Sequence, residues 1–237
     1  AASDVYKRQG RDNDGNITQT VAGVKQLTSI EGKFKGVRQG TGVGDNRYST
    51  HSRTTITTSS KIIVMAAAEV WFLRAEAALR GFTSEDVESC YKQGVTTSFA
   101  QWDASGVSEY LESENTPADY VDTFDKNFDA KATTSITPKW DNTADNETKL
   151  ERIITQKWLA IYPEGCEAWA EQRRTGYPKL FKVVVNNSSN AISTDDMIRR
   201  VFFNQDYITN NKPLYDALVS KLGGLDTGGT RLWWDTG

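Results

Sequence analysis

The clearest pattern along the chain is a 3.6-residue apolar repeat that begins near residue 65. In Met65 to Arg80 (MAAAEVWFLRAEAALR), Trp71, Ala75, Ala78 and Leu79 share one face at i, i+4, i+7 and i+8. Ala, Leu, Glu and Arg dominate the segment, all good helix formers. Gly81 then supplies a stop. Thr83, with Asp86 three residues on, resembles a capping box that carries Asp in place of Glu or Gln. Val87, Tyr91, Val95 and Phe99 follow at i+4 steps, so a second helix is expected over about Ser84 to Trp102. A third stripe, Leu150, Ile153, Ile154, Trp158 and Ile161, predicts a helix from Glu147 to Tyr162, ended by Pro163-Glu164-Gly165. A fourth helix, Cys166 to Arg174, carries Trp169 and ends at Gly176. A last one, Pro213 to Leu222, starts on proline and stops at Gly223-Gly224.

Elsewhere the helical period is missing. Residues 11–60 are rich in Gly, Thr, Ser and Asn and read as irregular loops with a short hairpin. Asp103 to Asp145 is polar, with a short helix expected at Val107 to Glu112. Thr116-Pro117 and Thr137-Pro138 punctuate it, since proline disfavours helix in the residue before it. The first ten residues, AASDVYKRQG, look like a translated sequencing-adapter tail and are set apart from the fold. Arg11 to Gly15 opens mid-loop, as a truncated start would. The expected organisation is therefore a tail over 1–10 and one portion of a domain over 11–237.

Two helices joined by a short glycine-containing turn make an αα-hairpin. The spacing of Trp71, Ala75, Tyr91 and Gly94 is close to a tetratricopeptide unit, although Arg74 stands at the consensus Leu position. The expected fold is mainly α, with tetratricopeptide-like hairpins and long irregular loop insertions. One hairpin would span 65 to 102; the other would join 147–162 to 166–175.

Composition narrows the chemistry. The 237 residues carry a net charge of −3, which disfavours a nucleic-acid binder. No window approaches the roughly 18 apolar residues of a spanning helix. Two cysteines, Cys90 and Cys166, make neither a disulfide framework nor a zinc set, and whether they pair is open. His51 is the single histidine and has no convincing nucleophile partner. Between Thr83 and Glu151 there are 15 acidic and 5 basic residues, read as a solvated face.

Cofactor and metal motifs fail in detail. Gly40-Thr41-Gly42-Val43-Gly44 lacks the third spaced glycine of a nucleotide loop and the strand and helix that flank one. Asp12-Asn13-Asp14-Gly15-Asn16 puts Ile17 and Gly23 where a calcium loop needs Gly and Glu. Asp119, Asp122, Asp125 and Asp129 are loosely spaced and read as solvent-facing. No motif nominates a carboxylate pair for glycoside hydrolysis. No catalytic residue, metal or cofactor is assigned.

Several segments carry a family resemblance. Ala68 to Gly81 (AEVWFLRAEAALRG) resembles the SusD/RagB family, glycan-binding outer-membrane lipoproteins of Bacteroidetes. The likeness continues through Glu151 to Ala160 (ERIITQKWLA) and Glu167 to Pro178 (EAWAEQRRTGYP), and closes with Leu222-Gly223-Gly224 and Thr230 to Asp235 (TRLWWD). The resemblance implies a C-terminal half of a protein about twice this length. It implies a lipidated cysteine in the other half, the cell surface as location, and a lipid anchor as the membrane attachment. It implies a binding protein, not an enzyme, that delivers an oligosaccharide to a SusC-like TonB-dependent transporter. A tetratricopeptide-like scaffold for protein partners and a glycoside hydrolase fragment stay open beside it.

Sugar recognition needs aromatic faces for C–H patches and polar side chains for hydroxyls. The expected exposed loop contacts are Asn46, Arg47, Tyr48, Trp102 and Trp140, with Trp140 first because Pro138 stiffens the chain before it. Trp71, Trp158 and Trp169 lie on helix stripes and are expected in the core, as is Cys90. Trp233 and Trp234 are expected to pin the C-terminus, and Arg173-Arg174 to cap helix carbonyls or pair with the acidic middle.

Overall fold

The computed structural model describes residues 6–8, 17–21, 24–28, 36–40, 52–54, 57–60, 62–122 and 125–235. The described elements are mainly helical. Four short strands come first: β1 (Tyr6–Arg8), β2 (Ile17–Val21), β3 (Val24–Thr28) and β4 (Ser52–Thr54). β2 and β3 form the antiparallel hairpin expected in this region, with Val21 opposite Val24. β1 pairs antiparallel with β4, so part of the stretch set aside as a tail has a partner strand.

Seven helices follow: α1 (Ala67–Leu79), α2 (Val87–Gln101), α3 (Val107–Leu111), α4 (Asn146–Ala160), α5 (Gly165–Thr175), α6 (Gln205–Asn210) and α7 (Lys212–Leu222). Five match the expected helices to within a few residues, and α3 sits where the short helix was expected. The start of α2 differs. Thr83 is not its cap; Asp86 is, accepting the Ser89 N–H at 2.8 Å, and the helix begins at Val87. Asp145 caps α4 and Asn211 caps α7 in the same way. α5 and α7 end on Gly176 and Gly223, at φ 76° and 75°, where a side chain would be strained. The six-residue α6 was not anticipated.

The chain divides into two compact units, residues 1–38 with 44–181, and 39–43 with 182–237. In the first, α1 and α2 run antiparallel: Phe72 lies against Tyr91 and Gly94, while Arg74, further along α1, pairs with Glu85 just before α2. α4 packs across both. Their core joins Phe72, Ala75, Tyr91, Val95 and Phe99 to Leu150, Ile153 and Ile154. Cys90 is buried and Cys166 exposed, both as free thiols.

A buried ionic layer runs beside this core. Lys157, only 1 % exposed, lies 3.2 Å from Glu171 and 3.3 Å from both Glu69 and Glu167. Burial alone would lower its pKa; the surrounding carboxylates, Glu171 foremost, hold it above the ordinary lysine value. Arg174 forks onto Glu76 at 2.6 and 2.7 Å and also bonds Glu171. Arg174 therefore pairs with α1 and its own helix rather than with the acidic middle, and Arg173 stacks on Trp169 at 3.9 Å.

The tryptophans are sorted differently from the expectation. Trp71, Trp158 and Trp169 are half-buried, not fully in the core. Arg74 covers the Trp71 ring at 3.9 Å, so one helix turn supplies both the ring and its cationic cover. The Asp119 to Asp129 carboxylates do more than face solvent. Asp122 is buried and accepts the Asp125 N–H, and Asp129 accepts the Asp122 N–H, so these groups shape the turn they sit on.

In the second unit, α6 and α7 precede a closing segment. Arg199 pairs with Asp235, and Arg200 pairs with Asp226 while lying over the Phe203 ring. These buried charge pairs tie the C-terminal segment down. Trp233 is 91 % exposed and does not pin the terminus as expected; Trp234 is 42 % exposed.

Candidate functional site

The loop from Thr137 to Asn142 passes over the N-terminal half of α4 and is held from several sides. The Tyr91 hydroxyl on α2 donates to the Pro138 carbonyl at 2.6 Å. Trp140 lies on the Tyr91 ring with centroids 5.0 Å apart. Its indole N–H donates to Asn142 Oδ1 at 2.9 Å, and Asn142 Nδ2 donates to Glu88 on α2 at 2.8 Å. Lys149 Nζ closes the far side by donating to the Asn142 carbonyl.

Under this loop lies a cleft of about 370 Å³ lined by Glu114, Thr137, Lys139, Trp140, Asp141 and Arg152. Lys139 and Glu114 form an ion pair at 2.7 Å. The lysine holds the Glu114 carboxyl below its usual value, and the carboxylate raises the lysine in return. Asp141 accepts the Thr143 hydroxyl and N–H at 2.6 and 2.8 Å, which lowers its pKa and keeps it ionised.

Arg152 differs from the other charges here. It projects from α4 and is only 5 % exposed. Its Nε donates to the Thr137 carbonyl at 3.1 Å. Its Nη1 is buried without a hydrogen-bond partner among the described residues. The guanidinium forms no ion pair with a described residue. A buried cation in this state leaves a donor and a charge unsatisfied, which costs free energy unless something supplies an acceptor.

The structure separates the anticipated contacts. Trp140 lines the cleft, but it is 8 % exposed, so the expectation of an open stacking ring is corrected: Tyr91 already covers one of its faces. Trp102, at the C-terminal cap of α2, is half-buried with Tyr162 6.3 Å away, and it does not line the cleft. Asn46, Arg47 and Tyr48 lie outside the described residues, as does His51. Sequence reasoning passed over Arg152, Lys139, Asp141, Thr137 and Glu114. One signal was available: Arg152 stands inside a run, Leu150 to Ile154, whose apolar members demand burial.

Among the described residues no group of His, Cys, Asp and Glu could hold a metal ion, and no helix is long and apolar enough to cross a membrane.

Comparison with known proteins decides the family. The SusD-like profile, described as Susd and RagB outer membrane lipoprotein, matches residues 13–235. The chain belongs to the SusD-like family. A solved SusD homolog from Bacteroides vulgatus shares 52 % identity at a TM-score of 0.75, covering 82 % of this chain and 40 % of that one. A chitin-binding SusD homolog from Flavobacterium johnsoniae shares 43 % identity at a TM-score of 0.79, covering 87 % and 44 %. A SusD homolog from Bacteroides thetaiotaomicron shares 34 % identity at a TM-score of 0.84, covering 98 % and 48 %. No curated protein matches. This SusD-like chain therefore spans less than half the length of the solved structures it matches, and its helical hairpins follow the architecture of a family of outer-membrane lipoproteins.

Proposed function

We propose that this SusD-like protein captures a glycan at the cell surface and delivers it, chemically unchanged, to a TonB-dependent outer-membrane transporter. The observation that carries this reading is family membership over nearly the whole chain, joined to 43 % identity with a chitin-binding relative. The cleft under the Thr137–Asn142 loop supports it, because a rigid scaffold displaying a polar recess with one aromatic wall suits a sugar. Asn46, Arg47, Tyr48 and Trp102 are the further contacts of this reading, with Trp140 acting through its exposed edge.

The test is direct. The chain is presented with immobilised chitin, starch and other neutral and acidic glycans, and retention is measured beside the release of reducing ends. Retention of at least one glycan without release is the expected result. Retention of none, or release of reducing ends from a retained one, would overturn the reading. Delivery is tested separately, by co-purification of the membrane-anchored protein with a TonB-dependent transporter.

A further inference from the structure

We infer that the cleft receives a carboxylate group of the captured ligand and that Arg152 is the residue that binds it; this rests on the capture reading and adds the ligand's charge class. Three observations meet at this place. Arg152 is a buried cation without an ion pair among the described residues, and its Nη1 has no acceptor. It nevertheless lines an open cleft. The other cation of the cleft, Lys139, is already neutralised by Glu114 at 2.7 Å.

A guanidinium with a free edge matches a carboxylate, which accepts two parallel N–H bonds and cancels the charge. A neutral hydroxyl would satisfy a donor but leave the cation uncompensated. Nε is held by the Thr137 carbonyl and Nη1 is closed off from solvent, so the carboxylate meets Nη2 first and gains Nη1 as a second donor by a small shift of the Thr137–Asn142 loop. The Trp140 edge supplies an apolar wall beside it. Asp141 opposes such a ligand, because it is ionised and lines the same cleft. The field of Arg152 acts on it, so the two charges sense each other. Asp141 therefore sets an upper limit on affinity, and removing its charge gives a test that leaves Arg152 in place.

The experiment titrates the 237-residue chain with trigalacturonate, its fully methyl-esterified form, and triglutamate, by calorimetry. Trigalacturonate should bind, and its ester roughly 10- to 150-fold more weakly, the range of a charge-assisted hydrogen-bond pair. Arg152→Gln should bring the acid down to the level of the ester. Asp141→Asn should tighten the acid about three- to tenfold relative to the ester. If Arg152→Gln does not fold, as circular dichroism would report, the ester comparison and Asp141→Asn decide alone. Binding of triglutamate in place of the sugar acid keeps the carboxylate and moves its source to a peptide. Equal binding of acid and ester, or binding of neither trigalacturonate nor triglutamate, overturns the inference. Retention of a neutral glycan with binding of neither trigalacturonate nor triglutamate would overturn it while leaving the capture reading intact.

Discussion

Tyr91 donates its hydroxyl to the carbonyl of Pro138 at 2.6 Å, a bond that spans 47 positions of sequence and anchors the loop over the cleft to the helical core. Burial raises the Tyr91 pKa far above the ordinary phenol value, so the group stays a neutral donor at all physiological pH. Tyr91→Phe keeps the ring that packs on Phe72 and Trp140 and removes only the donor. The Pro138 carbonyl then loses this partner, and stability should fall by about 1 kcal/mol in urea unfolding. An unchanged midpoint would mean that the loop's other ties, through Trp140, Asn142, Lys149 and Arg152, hold it without this bond.

Trp140 makes a second, sharper case. An open stacking ring would be removable at the expense of ligand affinity only. A ring that fills the space between Tyr91 and the loop is part of the core, so Trp140→Ala should lower stability by about 3–5 kcal/mol. Trp140→Phe should recover most of that. Wild-type stability in Trp140→Ala would return the ring to the surface.

The legible part of the fold is the part encoded by local repetition. Trp71, Ala75, Tyr91 and Gly94 sit at tetratricopeptide-like spacing, and the structure gives the reason for the last of them: a Cβ on Gly94 would lie 2.8 Å from two atoms of the Phe72 ring. Phe72 is fully buried, so its ring cannot give way into solvent. Gly94→Ala is therefore expected to cost about 1–3 kcal/mol by overpacking, measured by thermal or urea unfolding, although alanine is the better helix former. The site was less legible. Trp140 is flanked by Lys139 and Asp141, a local context that reads as solvent, and its burial comes from Tyr91, which is distant in sequence. Arg152 shows the converse: charge reads as surface until the neighbouring loop closes over it. The pairing of β1 with β4 was equally beyond reach, because three-residue strands carry no usable period.

Among the described residues, the first unit exposes an apolar stretch. Ile62, Val64 and Met65 stand before α1, and Val70 and Leu73 continue the stretch on its outer side; Val64 is 91 % exposed. The matched structures are about twice as long as this chain, so they have further chain with which to cover such a face. The 237-residue chain should bind a hydrophobic dye such as anilinonaphthalene sulfonate in its folded state. Val70→Gln combined with Leu73→Gln should reduce the fluorescence while leaving the helical dichroism intact. Dye binding that is absent, or unaffected by the double substitution, would argue that this stretch is covered within the chain itself.

The ionic layer gives the stability a defined pH dependence. Burial by itself would raise the Glu76 pKa, but Arg174 and then Arg80 outweigh it, and the carboxyl sits below its ordinary value of 4.5. The folded state therefore holds this proton more weakly than the unfolded chain does. The contribution is complete above about pH 4.5 and is lost as the pH falls through the lowered folded value. Urea stability of the wild type should be level from pH 7 towards 5 and decline below 4.5. Arg174→Met removes the fork at 2.6 and 2.7 Å while Arg80 remains. Arg174 keeps much of its side chain in water, so screening puts the expected loss at neutral pH near the low end for a charged hydrogen bond, about 1.5 kcal/mol. The difference between wild type and variant should shrink as the pH falls through the lowered folded value, below which Glu76 is protonated in both. A difference that does not begin to shrink below pH 4.5 would show that Arg174 contributes through packing on α5 rather than through the charge of Glu76.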